Sequence, residues 1–207
     1  MTGFLIWGHD ASRRMATIDG FAFPTGALHG FTLRHPEVDT DGLAAVQAAT
    51  RQWFRLAVRG RRSRLSMPST AVDDLWRELV LDSREYAAFC DVALGRLLPH
   101  EPEPATTDGS AVANRSSALL ATLRLAQQDE GGAASRLPLL FRIDARLGVA
   151  GGRCYLLDCG GRHECFPSAG QTCLRHLGGT PKKWRRLGGN PEGGRRNITA
   201  VTAVYPD

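Results

Sequence analysis

Met67-Pro68-Ser69-Thr70-Ala71-Val72-Asp73-Asp74-Leu75-Trp76-Arg77-Glu78 decides the fold class of this 207-residue chain. Met67-Pro68 punctuates, and Ser69 supplies the side-chain oxygen that a helix N-terminus needs. Val72, Leu75, Trp76 and Leu79 then recur at three- and four-residue spacing, which is one face of a helix. The same pattern extends in both directions. The chain is therefore expected to be mainly α, with about five helices and a short β or irregular Gly- and Cys-rich C-terminal segment.

Upstream, Asp39, Thr40 and Asp41 are all acceptable caps. Leu43, Val46, Thr50, Trp53, Phe54 and Ala57 then share a helical face that Gly60 can end. Before residue 40 the chain reads as short extended pieces and turns, because Gly20-Phe21-Ala22-Phe23-Pro24-Thr25-Gly26 mixes strand formers with turn residues. Downstream, Ser83 can cap a third helix with Tyr86, Phe89, Cys90, Ala93 and Leu97 on one side. Pro99, Pro102 and Pro104 forbid its continuation, and residues 101–113 read as a linker.

A fourth helix is expected over 114–128, with Leu119, Leu120, Leu123 and Ala126 inward. A fifth starts near Leu137-Pro138 and carries Leu140, Phe141, Asp144 and Leu147 to Gly148. From there the texture changes, since more than half of the 23 glycines lie from Gly148 onward. The expected organisation is a helical domain over 1–148 with an extended N-terminal segment, and a basic Gly/Cys-rich segment over 149–207 folded onto it. Asn197 to Tyr205 alternates like a strand and is expected to pair with Cys154-Tyr155-Leu156-Leu157 or the N-terminal segment. Trp184 is a candidate anchor.

The words Pro68-Ser69, Val72-Asp73 and Trp76, then Tyr86, Phe89-Cys90, Gly95-Arg96 and Pro99-His100, and later Leu137 to Asp144, carry a likeness. The chain resembles bacterial proteins related to the glycine-rich domain-containing protein family. Their helical pattern reads approximately P-S-x-x-V-D-x-x-W-H-x-F, Y-x-x-F-C and F-G-x-x-x-H-H. The likeness covers roughly residues 43 to 165. It implies a helical, compact fold more than an activity. Where the pattern has histidine after tryptophan this chain has Arg77, and where it has paired histidines it has Pro99-His100. A metal held by those histidines in relatives would be lost or altered here.

Chemistry concentrates in the window Cys154, Cys159, His163, Cys165, Cys173, His176, which holds four of the five cysteines and two of the six histidines. Thiolates and neutral imidazoles select a borderline-soft divalent ion such as zinc. Cys173-Leu174-Arg175-His176 has the two-residue spacing of paired ligands. Cys159 and Cys165 complete a closed Cys3His set, with Cys154 or His163 as substitutes. The same residues also suit spare thiols with one disulfide. A reactive Cys165 beside Arg162 and His163 is a third reading.

A different chemistry is possible on the Ser69 helix. Asp74 and Glu78 are four apart and share a face, so with Asp73, His100 or Cys165 they are candidates for acid–base work in a tailoring or hydrolytic enzyme. The plainer alternative pairs Asp73 with Arg77 and leaves Asp74 and Glu78 in water. Cofactors other than a metal have no motif, since the glycines lack the strand–loop–helix setting of a phosphate cradle.

Composition frames these readings. Hydrophobic residues make up 43% and charged residues 23%, as in soluble globular proteins. No apolar run is long enough for a bilayer, and the N-terminus lacks a basic n-region, so a cytoplasmic protein is expected. A reducing compartment disfavours disulfides. The net charge of +5 comes from Arg51, Arg55, Arg59, Arg61, Arg62 and Arg64, and from the tail after Arg175. Either stretch can bind an acidic partner or nucleic acid. The expected function is a small metal-binding accessory or binding protein, with the enzyme and the nucleic-acid binder as alternatives.

Overall fold

The computed structural model describes residues 3–61, 63–100, 109–132, 135–159 and 171–177. Among these, the chain runs α1 (Gly3–Asp19), α2 (Thr25–Arg34), α3 (Thr40–Arg59), α4 (Thr70–Leu81), α5 (Ser83–Phe89), a π turn (Cys90–Leu94), α6 (Gly109–Glu130) and α7 (Leu139–Leu147). It continues through β1 (Cys154–Leu156), β2 (Gln171–Cys173) and a one-turn α8 (Leu174–Leu177). The fold is mainly α, with eight α-helices among the described residues rather than five.

Helices α3 and α4 form where the sequence puts them. Asp39 caps α3 by accepting from Gly42 N at 2.7 Å, and Ser69 caps α4 by accepting from Val72 N at 3.1 Å. Val46, Trp53 and Phe54 of α3 and Val72, Leu75, Trp76 and Leu79 of α4 are buried in one core. Trp53 and Trp76 pack ring to ring at 5.7 Å, and Phe54 joins Phe89 of α5 at 4.9 Å. Burying such side chains contributes roughly 1.5–3 kcal/mol each.

Several expectations are corrected. Residues 3–34 are not extended pieces but two helices, separated by a loop whose Pro24 is the N-cap of α2. Gly26 and Gly30 weaken helix propensity there, and burial of Ile18, Ala27 and Phe31 overrides it. The cap of α5 is Asp82, which accepts from Glu85 N, and not Ser83. Leu97, expected inside, is 61% exposed. Gly95 N donates to Cys90 O at 2.8 Å, a five-residue return that adds one residue to the turn and rotates the next residues off the core face. Gly95 then takes φ 68°, and a Cβ there would overlap the Arg14 guanidinium, which donates to Leu94 O at 2.6 Å. Helix α6 begins at Gly109, five residues before the expected start.

The end of the described chain packs on the helices. Tyr155 of β1 meets Phe141 of α7 edge-on at 5.2 Å, and Leu174 of α8 joins the core. Strand β1 pairs with β2 in parallel, Leu156 opposite Cys173. The partner of Cys154–Leu156 in the described structure is thus Gln171–Cys173. The expected strand over 197–205, and Trp184, lie outside the described residues.

Polar side chains fix how the helices meet. Asp144 of α7 accepts from Ser69 Oγ at 2.6 Å, Thr70 N at 2.7 Å, Ala71 N at 3.2 Å and Arg153 N at 2.9 Å. Four donors converge on one carboxylate at the N-terminus of α4, where the helix dipole also favours negative charge. The N-terminus of α7 is capped from outside in the same way. Gln52 of α3 accepts from Leu140 N at 3.0 Å, and Glu130 of α6 accepts from Leu139 N. Pro138, the N-cap itself, makes no side-chain cap bond.

Candidate metal centre

Strand β1 carries the chain to Cys159, and β2 delivers Cys173 directly into α8, where His176 sits one turn on. The β1–β2 pairing, the bond from Arg175 N to Leu157 O at 3.2 Å, and the Arg175–Asp158 ion pair hold the two arms together. As a result the donor atoms of Cys159, Cys173 and His176 lie within 4.8 Å of one another, the two cysteines buried and the histidine exposed. These three residues can hold a metal ion.

One of the separations suits a tetrahedral ion. Zinc bonds of about 2.3 Å to sulfur and about 2.0 Å to nitrogen put a tetrahedral S···N pair about 3.5 Å apart. Cys159 Sγ lies 3.7 Å from His176 Nδ1. Two thiolates and a neutral imidazole balance a divalent charge, and the buried thiols shield the site on the protein side.

Of the expected ligands, Cys159, Cys173 and His176 are brought together. Cys154, the substitute, is half-buried at the far end of β1 and is not in the group. Cys165 and His163 lie outside the described residues.

The carboxylates of α4 depart from the plainer reading, and one of them meets a candidate partner, His100. Asp73 does not pair with Arg77, which is exposed. It meets His100 Nε2 at 3.1 Å, and that ring stacks edge-on against Trp76 at 4.7 Å. Asp74 and Glu78 are not in water. Asp74 Oδ2 lies 2.9 Å from His35 Nε2, and Glu78 Oε1 accepts from Arg34 at 2.8 Å. A Cβ at Gly30 would overlap the Glu78 carboxylate, so glycine there lets α2 and α4 approach.

His35 is the residue that sequence reasoning misses. It is 4% exposed, stacked on Phe31, with Glu37 Oε1 3.1 Å from its other nitrogen. A carboxylate therefore lies within hydrogen-bonding distance of each ring nitrogen. The Glu37 carboxyl is held below its ordinary range by its own backbone N–H and then by His35. A histidine four residues beyond a buried aromatic is the available signal. Together these pairs tie α4 to α2 and to the segment after the π turn.

Half of the basic stretch is engaged inside the molecule. Arg55 grips Asp129 through Nε and Nη2 and reaches Asp19 at 2.7 Å, while Arg59 donates to Asp129 at 2.6 Å. Burial pulls the Arg55 pKa down, and the two aspartates more than offset it. Arg51 donates to Phe21 O and lies over the Phe23 ring. Arg55 and Arg59 therefore join helices, and Arg51 ties α3 to the α1–α2 loop.

The chain is, by fold and site, a mainly helical protein with a Cys/His cluster where a small parallel sheet turns into a helix. It belongs to the UCP032817-like family, whose model matches residues 13–177. Comparisons with curated proteins and with solved structures return no match. No helix among the described residues is long and apolar enough to cross a membrane.

Proposed function

We propose that this protein is a small metal-binding accessory or binding module, in which a zinc ion fixes the segment after Gly148 against the helices. Cys159, Cys173 and His176 are ligands, and Cys165 completes the set with His163 as its substitute. The observation that supports this reading is the convergence of the three donors within 4.8 Å, with Cys159 and His176 at a separation that suits tetrahedral zinc. With Cys165 as the fourth ligand the set would be closed, the form of a structural rather than a catalytic ion. The kinship with the glycine-rich domain-containing proteins belongs to this proposal and rests on the Pro68-Ser69, Val72-Asp73 and Trp76 words.

The test is elemental analysis of protein purified without chelator. About one equivalent of zinc per chain is expected, with stoichiometry falling in Cys173→Ser and in His176→Ala. Less than a few tenths of an equivalent in the unaltered protein overturns the reading.

A further inference from the structure

Beside the metal centre, between the start of α7 and β1, lies a cleft of about 670 Å³. This is within the size range of small-molecule sites. Its walls include Leu137, Tyr155 and Leu157, with Arg136 and Arg142 on the α7 side and Asp158 on the other. Tyr155 is fixed as part of the floor by its edge-on contact with Phe141.

The charges on these walls are not balanced. Asp158 is already paired with Arg175. Among the described residues Arg142 Nε, shut off from solvent, has no acceptor, and neither Arg142 nor Arg136 has a carboxylate partner. Other half-buried arginines do have acceptors. Arg55 has Asp129 and Asp19, and Arg51, whose Nε is also unmatched, donates to Phe21 O and covers Phe23. A guanidinium held at a cleft wall without an acceptor is a specific attraction for an anion, because the bond it forms is charge-assisted and planar. Buried polar groups without partners are uncommon, and an ion or water that they bind is one of the recognised reasons for them.

We propose that this cleft binds a small organic carboxylate with an apolar body. Arg142 and Arg136 take the carboxylate, and Leu137, Tyr155 and Leu157 enclose the hydrocarbon. The site goes beyond the metal reading and is carried by different residues. Its β1 wall leads into Cys159, so metal content and ligand binding are measured on the same sample.

The experiment is calorimetric titration of the full-length protein, as purified, with octanoate, then with octanol and with acetate. Saturable octanoate binding is expected, with octanol and acetate each at least about tenfold weaker, since each lacks one half of the recognition. Arg142→Met and, independently, the exposed Arg136→Met are each expected to weaken octanoate about tenfold or more, while Arg84→Met on α5 changes nothing. Arg136 is at the surface, so its variant keeps the test valid should Arg142→Met fail to fold. Octanoate with a Kd weaker than about 10 mM overturns the proposal, as does octanol binding equally well or unchanged affinity in both arginine variants. Zinc present without octanoate binding sinks the cleft alone, and octanoate binding without zinc sinks the metal reading alone.

Discussion

The Ser69 hydroxyl donates to the Asp144 carboxylate at 2.6 Å while its oxygen caps Val72 N, so one buried serine joins the start of α4 to the middle of α7. Asp144, 2% exposed, also takes Thr70 N, Ala71 N and Arg153 N. Removing it leaves several buried donors without an acceptor. Asp144→Ala is expected to cost about 3 kcal/mol or more, and Ser69→Ala about 1 kcal/mol. Asp144→Asn falls between them, because it keeps one acceptor but turns an amide toward backbone N–H groups. Urea unfolding followed by circular dichroism measures all three. A loss below about 1 kcal/mol for Asp144→Ala contradicts the role assigned to this carboxylate.

A second junction is expected to behave the same way for a different reason. The Asp129 side chain is 2% exposed and takes both Arg55 and Arg59. Asp129→Ala leaves a half-buried guanidinium with only Asp19 near the surface, and about 2–3 kcal/mol of stability should disappear. Arg59→Gln, at an exposed partner, should cost no more than about 1 kcal/mol. Equal losses in the two variants would show that burial of Asp129 is not what matters.

These two junctions explain what is legible in the sequence and what is not. Caps and three-four spacing are local, so α3 and α4 can be read directly from Asp39, Ser69 and the apolar stripes between them. The partner of Ser69 is 75 residues away, and no local pattern announces it. Asp144 can be placed on the inner side of its helix but not matched to anything. Helices α1 and α2 are hidden because glycines lower their propensity, and the core residues that stabilise them are contributed by later helices. The π turn is hidden because a single inserted residue does not change composition, only the phase at which Leu97 emerges. At the candidate metal centre, the C-x-x-H spacing exposes Cys173 and His176. The choice of Cys159 over Cys154 is also made from the sequence, and the β1–β2 register accounts for it by bringing Cys159 to that pair.

That choice can be tested. Cys154→Ser is expected to leave metal content unchanged, whereas Cys159→Ser should reduce it together with Cys173→Ser. Adding a chelator should make the bonds between β1 and β2 easier to open, since ligand binding to the native state stabilises it by mass action. Protection of the Leu156 and Arg175 amides in hydrogen exchange gives the measurement. Protection that is identical with and without chelator argues that the sheet stands without an ion.

The Tyr86 phenol accepts from Trp76 Nε1 at 2.8 Å and donates to Leu98 O at 2.7 Å within the core. Burial above all pushes its pKa over the ordinary value of 10.0. In the unfolded chain the phenol loses its proton near that ordinary value, while in the folded protein it retains it to higher pH. Between the two, the native state binds more protons than the unfolded state, so stability falls as pH rises. This contribution is complete below about pH 10 and is lost progressively above it. Tyr86→Phe should cost about 1–2 kcal/mol at neutral pH by stranding the buried indole N–H. Its urea midpoint should then decline less steeply than that of the unaltered protein between about pH 10 and 11. Parallel slopes for the two proteins would place the alkaline sensitivity in other groups.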